Sequence, residues 1–282
     1  MAKSKGIDSG LMFLHQAFDL KSLHFGLFTD EYPRTPDGLH MAQANYTRTL
    51  ADMVPADAKT VLDVGSGLGD TSKLLTERGY SVEGLSPDPY HKEQYAANCG
   101  PDAAFHLSKF EDLTPGKTYD CLVFGESPQY IDKDAFFPKS AELTQPGGHL
   151  VLAELFQAKP GGRYTTCFFE DDFVGRAERA GFRVEHRRDI TEEVLPTLEV
   201  GAVFLKFGQK LFDHGRYLAR RRSPFLAWLT RLFFGRKLEN LRVMLHEKLP
   251  GWLDTEQFRE TTSYVMYRLR RGNGSPEADR PC

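Results

Sequence analysis

Residues 61–70 read VLDVGSGLGD, and the reading of this run decides the fold. Val61 and Leu62 supply a short apolar β-run, Asp63 follows, and glycines stand at 65, 67 and 69. A residue without a Cβ permits tight turns and close approach of backbone to a ligand. Residues 71–78 continue as a helix, so the order is strand, glycine-rich turn, helix. That order sets a helix N-terminus and backbone amides beside a ligand, as in nucleotide-binding α/β sheets. The plain alternative is a strand–helix turn that uses glycine for steric reasons alone.

Outward from this run the chain alternates strand-like and helix-like segments, the mark of a parallel sheet with helices on its faces. Strands are expected at 60–64, 81–85, 104–107, 119–125, 149–155, 182–188 and 264–270. YDCLVFG (119–125) is a continuous apolar run, as suits a strand buried on both faces. Helices are expected at 90–98, 134–143 and 170–180, with Gly181 as a cap and a turn at QPGG (145–148). About seventy residues separate the sixth and seventh strands, too many for a connection, so they form a structured, mostly helical insertion. The expected fold is therefore α/β: a Rossmann-like, seven-stranded, mostly parallel sheet with an N-terminal helical cap and a helical insertion between strands six and seven. The expected organisation is a cap or lid over 1–55, a core over 56–195 and 262–271, a helical lid over 196–261 and a disordered tail over 272–282.

Composition fits a soluble globular chain: 282 residues, 40% hydrophobic, 27% charged and a net charge of −3, which gives no support for bulk nucleic-acid binding. No apolar run approaches the ~20 residues of a membrane-spanning helix. The start, MAKSKGIDSG, lacks an apolar signal core, so a secretory peptide is not expected. Cysteines 99, 121, 167 and 282 have no ligand-like or framework spacing, so reduced thiols and a cytoplasmic location are expected. The 21 Phe and 11 Tyr are enough to line an apolar pocket.

The ten residues of the glycine run resemble the cofactor loop of class I S-adenosylmethionine-dependent methyltransferases, an apolar pair, an acid, then G-x-G-x-G. The nicotinamide and flavin pattern places its third glycine one residue later, and no G-K-[ST] of a P-loop follows. The resemblance extends over residues 23–195. SLHFGLF (22–28) and AQANYTRTLADMV (42–54) are similar to the entry segment of small-molecule methyltransferases such as the tocopherol, coclaurine, glycine/sarcosine and sterol enzymes. The stretch FGESPQYIDKDAFFPKSAELTQPGGHLVLAE (124–154) resembles their ES-x-x-H … LxPGG region, with Gln129-Tyr130 where His is common, and DITEEVLPTL (189–198) resembles a segment after the sixth strand.

The resemblance implies S-adenosylmethionine as cofactor. Amides of Gly65, Ser66 and Gly67 would approach its methionine portion, and Asp63 would accept from its ammonium or brace the loop from beneath. Ser86 stands where a carboxylate usually grips the ribose, with Asp88 two residues on. Lys109-Phe110 replaces an acid-plus-small pair beside adenine, where Phe110 would stack on the ring. Methyl transfer is an in-line displacement with the acceptor held ~3 Å from the methyl, so positioning can supply much of the rate. No metal is implied.

Three residues are candidates for the acceptor side. Glu126, at the end of the fourth strand, reads as a base or orienting acceptor, or as an anchor for loop amides. Tyr130 would aim its hydroxyl at substrate or pack as an amphipathic aromatic. His24 is a candidate base with an ordinary pKa near ~6.5, or a lid residue hydrogen-bonded to backbone. His40, Tyr32 and Tyr46 are further candidates of that kind; His15, on an apolar N-terminal helix, reads as structural.

From Gly215 to Lys237 there is no acid but there are seven cations, and Phe225, Leu226, Leu229, Leu232 and Phe233 recur at helical spacing. That segment reads as a basic amphipathic helix on an anionic membrane, as a lid helix over the pocket, or as a homodimer contact. The expected function is methyl transfer to a small, apolar or aromatic metabolite, with O-methylation first and N- or C-methylation as alternatives. Rival readings are a diverted enzyme that catalyses cyclisation or another alkyl transfer, and a non-catalytic cofactor-binding scaffold.

Overall fold

In the computed structural model, residues 22–114, 116–223 and 235–273 are described. A seven-stranded sheet runs in the order β3-β2-β1-β4-β5-β7-β6. Its strands are β1 Thr60–Val64, β2 Ser81–Ser86, β3 Phe105–Leu107, β4 Tyr119–Gly125, β5 Thr144–Gln157, β6 Phe182–Asp189 and β7 Thr262–Arg271. Strands β1 to β5 pair in parallel, and β7 pairs antiparallel to both β5 and β6. All seven strands expected from sequence are present, within two residues at most ends; β5 alone starts five residues early.

That difference corrects the turn expected at 145–148. Asp120 breaks the register between Tyr119↔Thr144 and Cys121↔His149, and Gly147 takes φ +79, so the segment is the bulged start of β5. The bulge reverses the facing of β4. Tyr119, Leu122 and Phe124 enter one core, while Cys121 and Val123 enter the other.

Helices α1 Pro36–Asp52, α2 Asp70–Glu77, α3 Pro89–Cys99, α4 Lys133–Leu143 and α5 Glu170–Arg179 flank the sheet. On one face Tyr46 and Leu50 of α1 and Leu75 of α2 pack on Val61, Val123 and Val151. On the other, Phe136 and Phe137 of α4 and Phe173 of α5 pack on Leu62, Phe124 and Leu152. Both faces of the central strands are thus covered, which is why β1, β4 and β5 carry long buried apolar runs.

The insertion begins with α6, Thr191–Arg222, a 32-residue helix that runs unbroken across the 195/196 border expected from sequence. Its first turns place Val194, Leu195 and Leu198 in the core. A helical segment α7 over 235–252 carries a π-turn at Met244–Lys248, and α8 Thr255–Thr261 leads into β7. The apolar run expected at 225–234 and the tail from 274 lie outside the described residues. Among the described residues, no helix is long and apolar enough to cross a membrane.

Phe136 sits at the centre of the second core, its ring 4.9–6.2 Å from those of Phe110, Phe124, Phe137, Phe168 and Phe173. Phe136→Ala is expected to cost about 3–5 kcal/mol, read as a lower urea midpoint at unchanged m-value.

Candidate active site

The glycine loop carries three left-handed residues, Gly65 (φ +74), Gly67 (φ +53) and Gly69 (φ +89). A Cβ at Gly65 would lie 2.4 Å from Ser127 Cβ, so the loop is pressed against the end of β4. A Cβ at Gly67 would meet only the Gly65 carbonyl, at 3.9 Å, which leaves that side of the loop open. The expected amide set is narrower than the sequence implies. Gly65 and Ser66 N–H both donate to Leu85 O of β2, at 2.8 and 3.1 Å, so the free approach falls on Gly67. The Ser66 hydroxyl is buried without a partner. Asp63 lies beneath and accepts from Ser72 Oγ of α2 at 2.6 Å; burial pushes its carboxyl up to about 7. It braces the loop.

At the end of β2, Ser86 is engaged locally. Its Oγ is 2.8 Å from His91 Nδ1 and accepts from Asp88 N–H. Asp88 caps α3, accepting from Tyr90 N–H at 2.9 Å. His91 Nε2 is buried without a partner, and burial holds this imidazole below its ordinary pKa. The sequence reading missed His91; the helical position five residues after Ser86 was the available signal. Phe110 corrects a second expectation. Its ring is buried against Phe124 and Phe136, 5.5 and 6.2 Å away, so it faces the core and cannot stack on adenine. The competing force is apolar burial, which outranks an exposed stacking site. Lys109 is exposed. Leu107, in register with Ser86 and 47% exposed, is the apolar side chain left at that edge.

Over the loop lies a strap, residues 22–28, without regular structure. Its successive amides go to four different places: Phe25 N–H to Glu126 Oε1 (2.7 Å), Gly26 N–H to Thr197 Oγ1 (2.9 Å), Leu27 N–H to Ala42 O (2.9 Å) and Phe28 N–H to Glu193 O (2.9 Å). Glu126 itself is the one non-glycine residue with positive φ (+58) among the described residues. Its Oε1 also accepts from Tyr264 Oη at 2.6 Å, and Tyr264 is 3.0 Å from Tyr46 Oη. Burial raises the Glu126 pKa, and the nearby His24 charge, the Tyr264 hydroxyl and the Phe25 amide only partly offset it. Phe25, Tyr164, Phe258 and Tyr264 form an aromatic wall beside it, with ring centroids 5.7–5.9 Å apart.

His24 lies in the strap with both nitrogens engaged. Nδ1–H donates to Phe25 O at 2.7 Å, and Nε2 is 3.1 Å from both Thr47 Oγ1 and Asp70 Oδ2. Its ring stacks on Tyr46 at 4.1 Å. Burial opposes the charge, but the Asp70 hydrogen bond and the charges of Asp70 and Glu126 raise the His24 pKa overall. Asp70 also accepts from Ser22 Oγ and Thr47 Oγ1; burial opposes its charge too, yet these bonds and His24 lower its pKa. His24 thus clamps the strap to α2. Asp70 was invisible to motif reading because its role depends on a partner 46 residues away.

Tyr130 lies 77% exposed in the turn Pro128–Tyr130 that follows Glu126. Gln43 joins the strap, donating to Ser22 O and His24 O, while its Oε1 is a buried acceptor without a partner. An open hollow of about 560 Å³, bordered by Glu170, Val174, Arg187 and Tyr267, lies at the far β6 edge and shares no residue with this site. Among the described residues no cluster fits a metal ion.

This sheet order, with its antiparallel seventh strand and the glycine loop after β1, defines a class I S-adenosylmethionine-dependent methyltransferase. The chain belongs to the methyltransferase domain family, whose model matches residues 39–187. It is 26% identical to an uncharacterized methyltransferase of Geobacillus kaustophilus, over 65% of this chain and 86% of the relative. It is 25% identical to the O-methyltransferase cnsE of Penicillium expansum, over 74% of this chain and 84% of that one. Among solved structures the [4+2]-cyclase SpnF shares the fold at TM-score 0.68 and 16% identity, covering 94% of this chain and 96% of its own. A geranyl diphosphate methyltransferase, solved with GPP and sinefungin, aligns at TM-score 0.66 and 16% identity, with 92% and 93% covered. The cofactor is S-adenosylmethionine, and the open side of Gly67 with the orphaned Ser66 hydroxyl fits it.

Glu154, buried on β5, accepts from Leu155 N–H and Gln129 N–H, and burial lifts its carboxyl from 4.5 to about 8. The native state therefore holds a proton that the unfolded chain releases, so this group's contribution to stability falls as pH rises from 4.5 to about 8. Glu154→Gln, whose amide keeps one of the two hydrogen bonds, is expected to flatten that slope in denaturation curves taken across this range.

Proposed function

We propose that this enzyme transfers a methyl group to a hydroxyl of a small, apolar or aromatic metabolite. The observation that carries this reading is Glu126, a partly buried carboxylate at the open end of β4, with its two hydrogen bonds on Oε1 and an aromatic wall beside it. Oε2 is left to accept the acceptor's proton, and the raised pKa makes the carboxylate a stronger base than an exposed one. The likeness to an O-methyltransferase over most of both chains supports the same choice.

When bound, the cofactor supplies an electrophilic methyl on a sulfonium that leaves as a neutral thioether. The chain's own residues do the rest. Gly67, Ser66 and Gln43 hold the methionine end, and Asp63 keeps the loop in place through Ser72. Ser86 and His91 share the ribose contact that a carboxylate would otherwise make, with Leu107 and the Phe110 backbone beside adenine. His24 clamps the strap so that water is excluded while the acceptor is aligned.

Methyl-labelled S-adenosylmethionine, supplied with a metabolite extract, tests the reading: label is expected in the organic phase. An isomerised product without label would point to a diverted reaction, and failure to bind S-adenosylhomocysteine would sink the assignment. Glu126→Gln, which keeps an acceptor for Phe25 and Tyr264, is expected to lower kcat about a hundredfold or more and to remove the limb of the pH profile set by Glu126. His91→Ala is expected to weaken S-adenosylhomocysteine binding about tenfold by calorimetry, the value of one lost hydrogen bond in a buried site; unchanged affinity would remove His91 from the ribose contact.

A further inference from the structure

Beyond Val200, α6 keeps Phe204 against the cluster of Phe28, Leu39 and Val200 while another face presents an apolar stripe to solvent. Val203, Phe207 and Leu211, at i, i+4 and i+8, are 60%, 64% and 63% exposed, and Leu218 continues the same face. Side chains this apolar are ordinarily turned inward on an amphipathic helix. Lys206 and Lys210 flank the stripe, and Arg221 lies on the same face four turns on, its guanidinium over the Tyr217 ring at 5.9 Å. Between Val203 and Leu218 the sequence has one acid, Asp213, which faces His246 at 3.6 Å. Glu239 and Glu247 on the neighbouring α7 are taken by Arg242. Lys206, Lys210, Arg236 and Lys237 enter no ion pair among the described residues.

We infer that this face docks the enzyme on an anionic lipid bilayer. A helix whose apolar stripe is bordered by unpaired cations lies in the headgroup plane, with the stripe in the acyl boundary and the cations among lipid phosphates. Charge decides between occupants. A second copy of the chain would bring cations against cations around the stripe, whereas an anionic surface meets them with opposite charge. The stripe belongs to the helix whose first turns hold the strap, so docking sets the roof of the site near the membrane plane.

The test is co-sedimentation of the full chain with phosphatidylcholine vesicles, with and without phosphatidylglycerol. The protein is expected to pellet with the anionic vesicles and to dissociate as the Debye length shortens from about 10 Å at 0.1 M salt to about 3 Å at 1 M. Lys206→Glu with Lys210→Glu, and separately Phe207→Ser with Leu211→Ser, are each expected to weaken vesicle binding at least about tenfold. S-adenosylhomocysteine affinity, unchanged in both, certifies the fold. Three results would overturn the inference: no pelleting of the wild type, variants that bind as it does, or a dimer in sedimentation velocity that the Phe207/Leu211 variant dissolves. Vesicle binding is read without any methyl acceptor, so a failed methyl-transfer assay leaves this result standing on its own.

Discussion

The site depends on one partly buried carboxylate. Glu126 ends β4 in a left-handed backbone conformation that a non-glycine residue adopts at a cost of order 1–3 kcal/mol. What holds it there is visible in its partners. Its own N–H donates to Ala153 O of β5, and its Oε1 receives the Phe25 amide of the strap and the Tyr264 hydroxyl of β7. Through Tyr264 the tie reaches Tyr46 of α1, and through the ring of Tyr46 it reaches His24. The strap and β7 thus converge on a single oxygen, and α1 is tied to it through Tyr264. If Glu126 relaxed to an ordinary strand conformation, the strap would lose its central anchor and the glycine loop its roof.

Charge in this cluster is unbalanced. Asp63, Asp70, Glu126 and Glu154 are all buried or partly buried, and His24 is the one cation named among their partners. Only Asp70, which His24 contacts, has a lowered pKa; the other three are raised by burial that nothing fully offsets. Such an arrangement is costly for the protein alone.

The scaffold was legible in sequence because its signals are local. Glycines at 65, 67 and 69, the apolar run at 119–125 and Gly181 each specify backbone within a few residues, and each stands where it was expected. The site was less legible because its signals are long-range. Nothing around Phe110 tells whether its ring turns to a ligand or to Phe124 and Phe136, since that depends on the space α4 leaves. Gly65 and Ser66 amides look free until β2 is laid beside them. Asp70 closes the glycine run and His91 lies in α3, and neither stood out in the sequence, because their partners His24, Thr47 and Ser86 are set by the fold. The bulge at Asp120 turned an expected loop at 145–148 into strand, because Gly147 supplies the left-handed step that lets pairing resume.

Helix α6 joins the two halves of the argument. Its first turns are fixed from three sides: Val194, Leu195 and Leu198 in the core, Thr197 Oγ1 on Gly26, and the Glu193 carbonyl on Phe28. Its later turns meet the protein chiefly through α7, by Gln209 on Leu245 O and Phe212 near His246. Contacts therefore thin along one continuous helix, and with them local stability. Thr197 and Glu193 hold the strap over the glycine loop, so one helix carries both the anchors of the roof and the exposed stripe. Rigidity is needed at one end and an unpartnered face at the other, and a single uninterrupted helix supplies both.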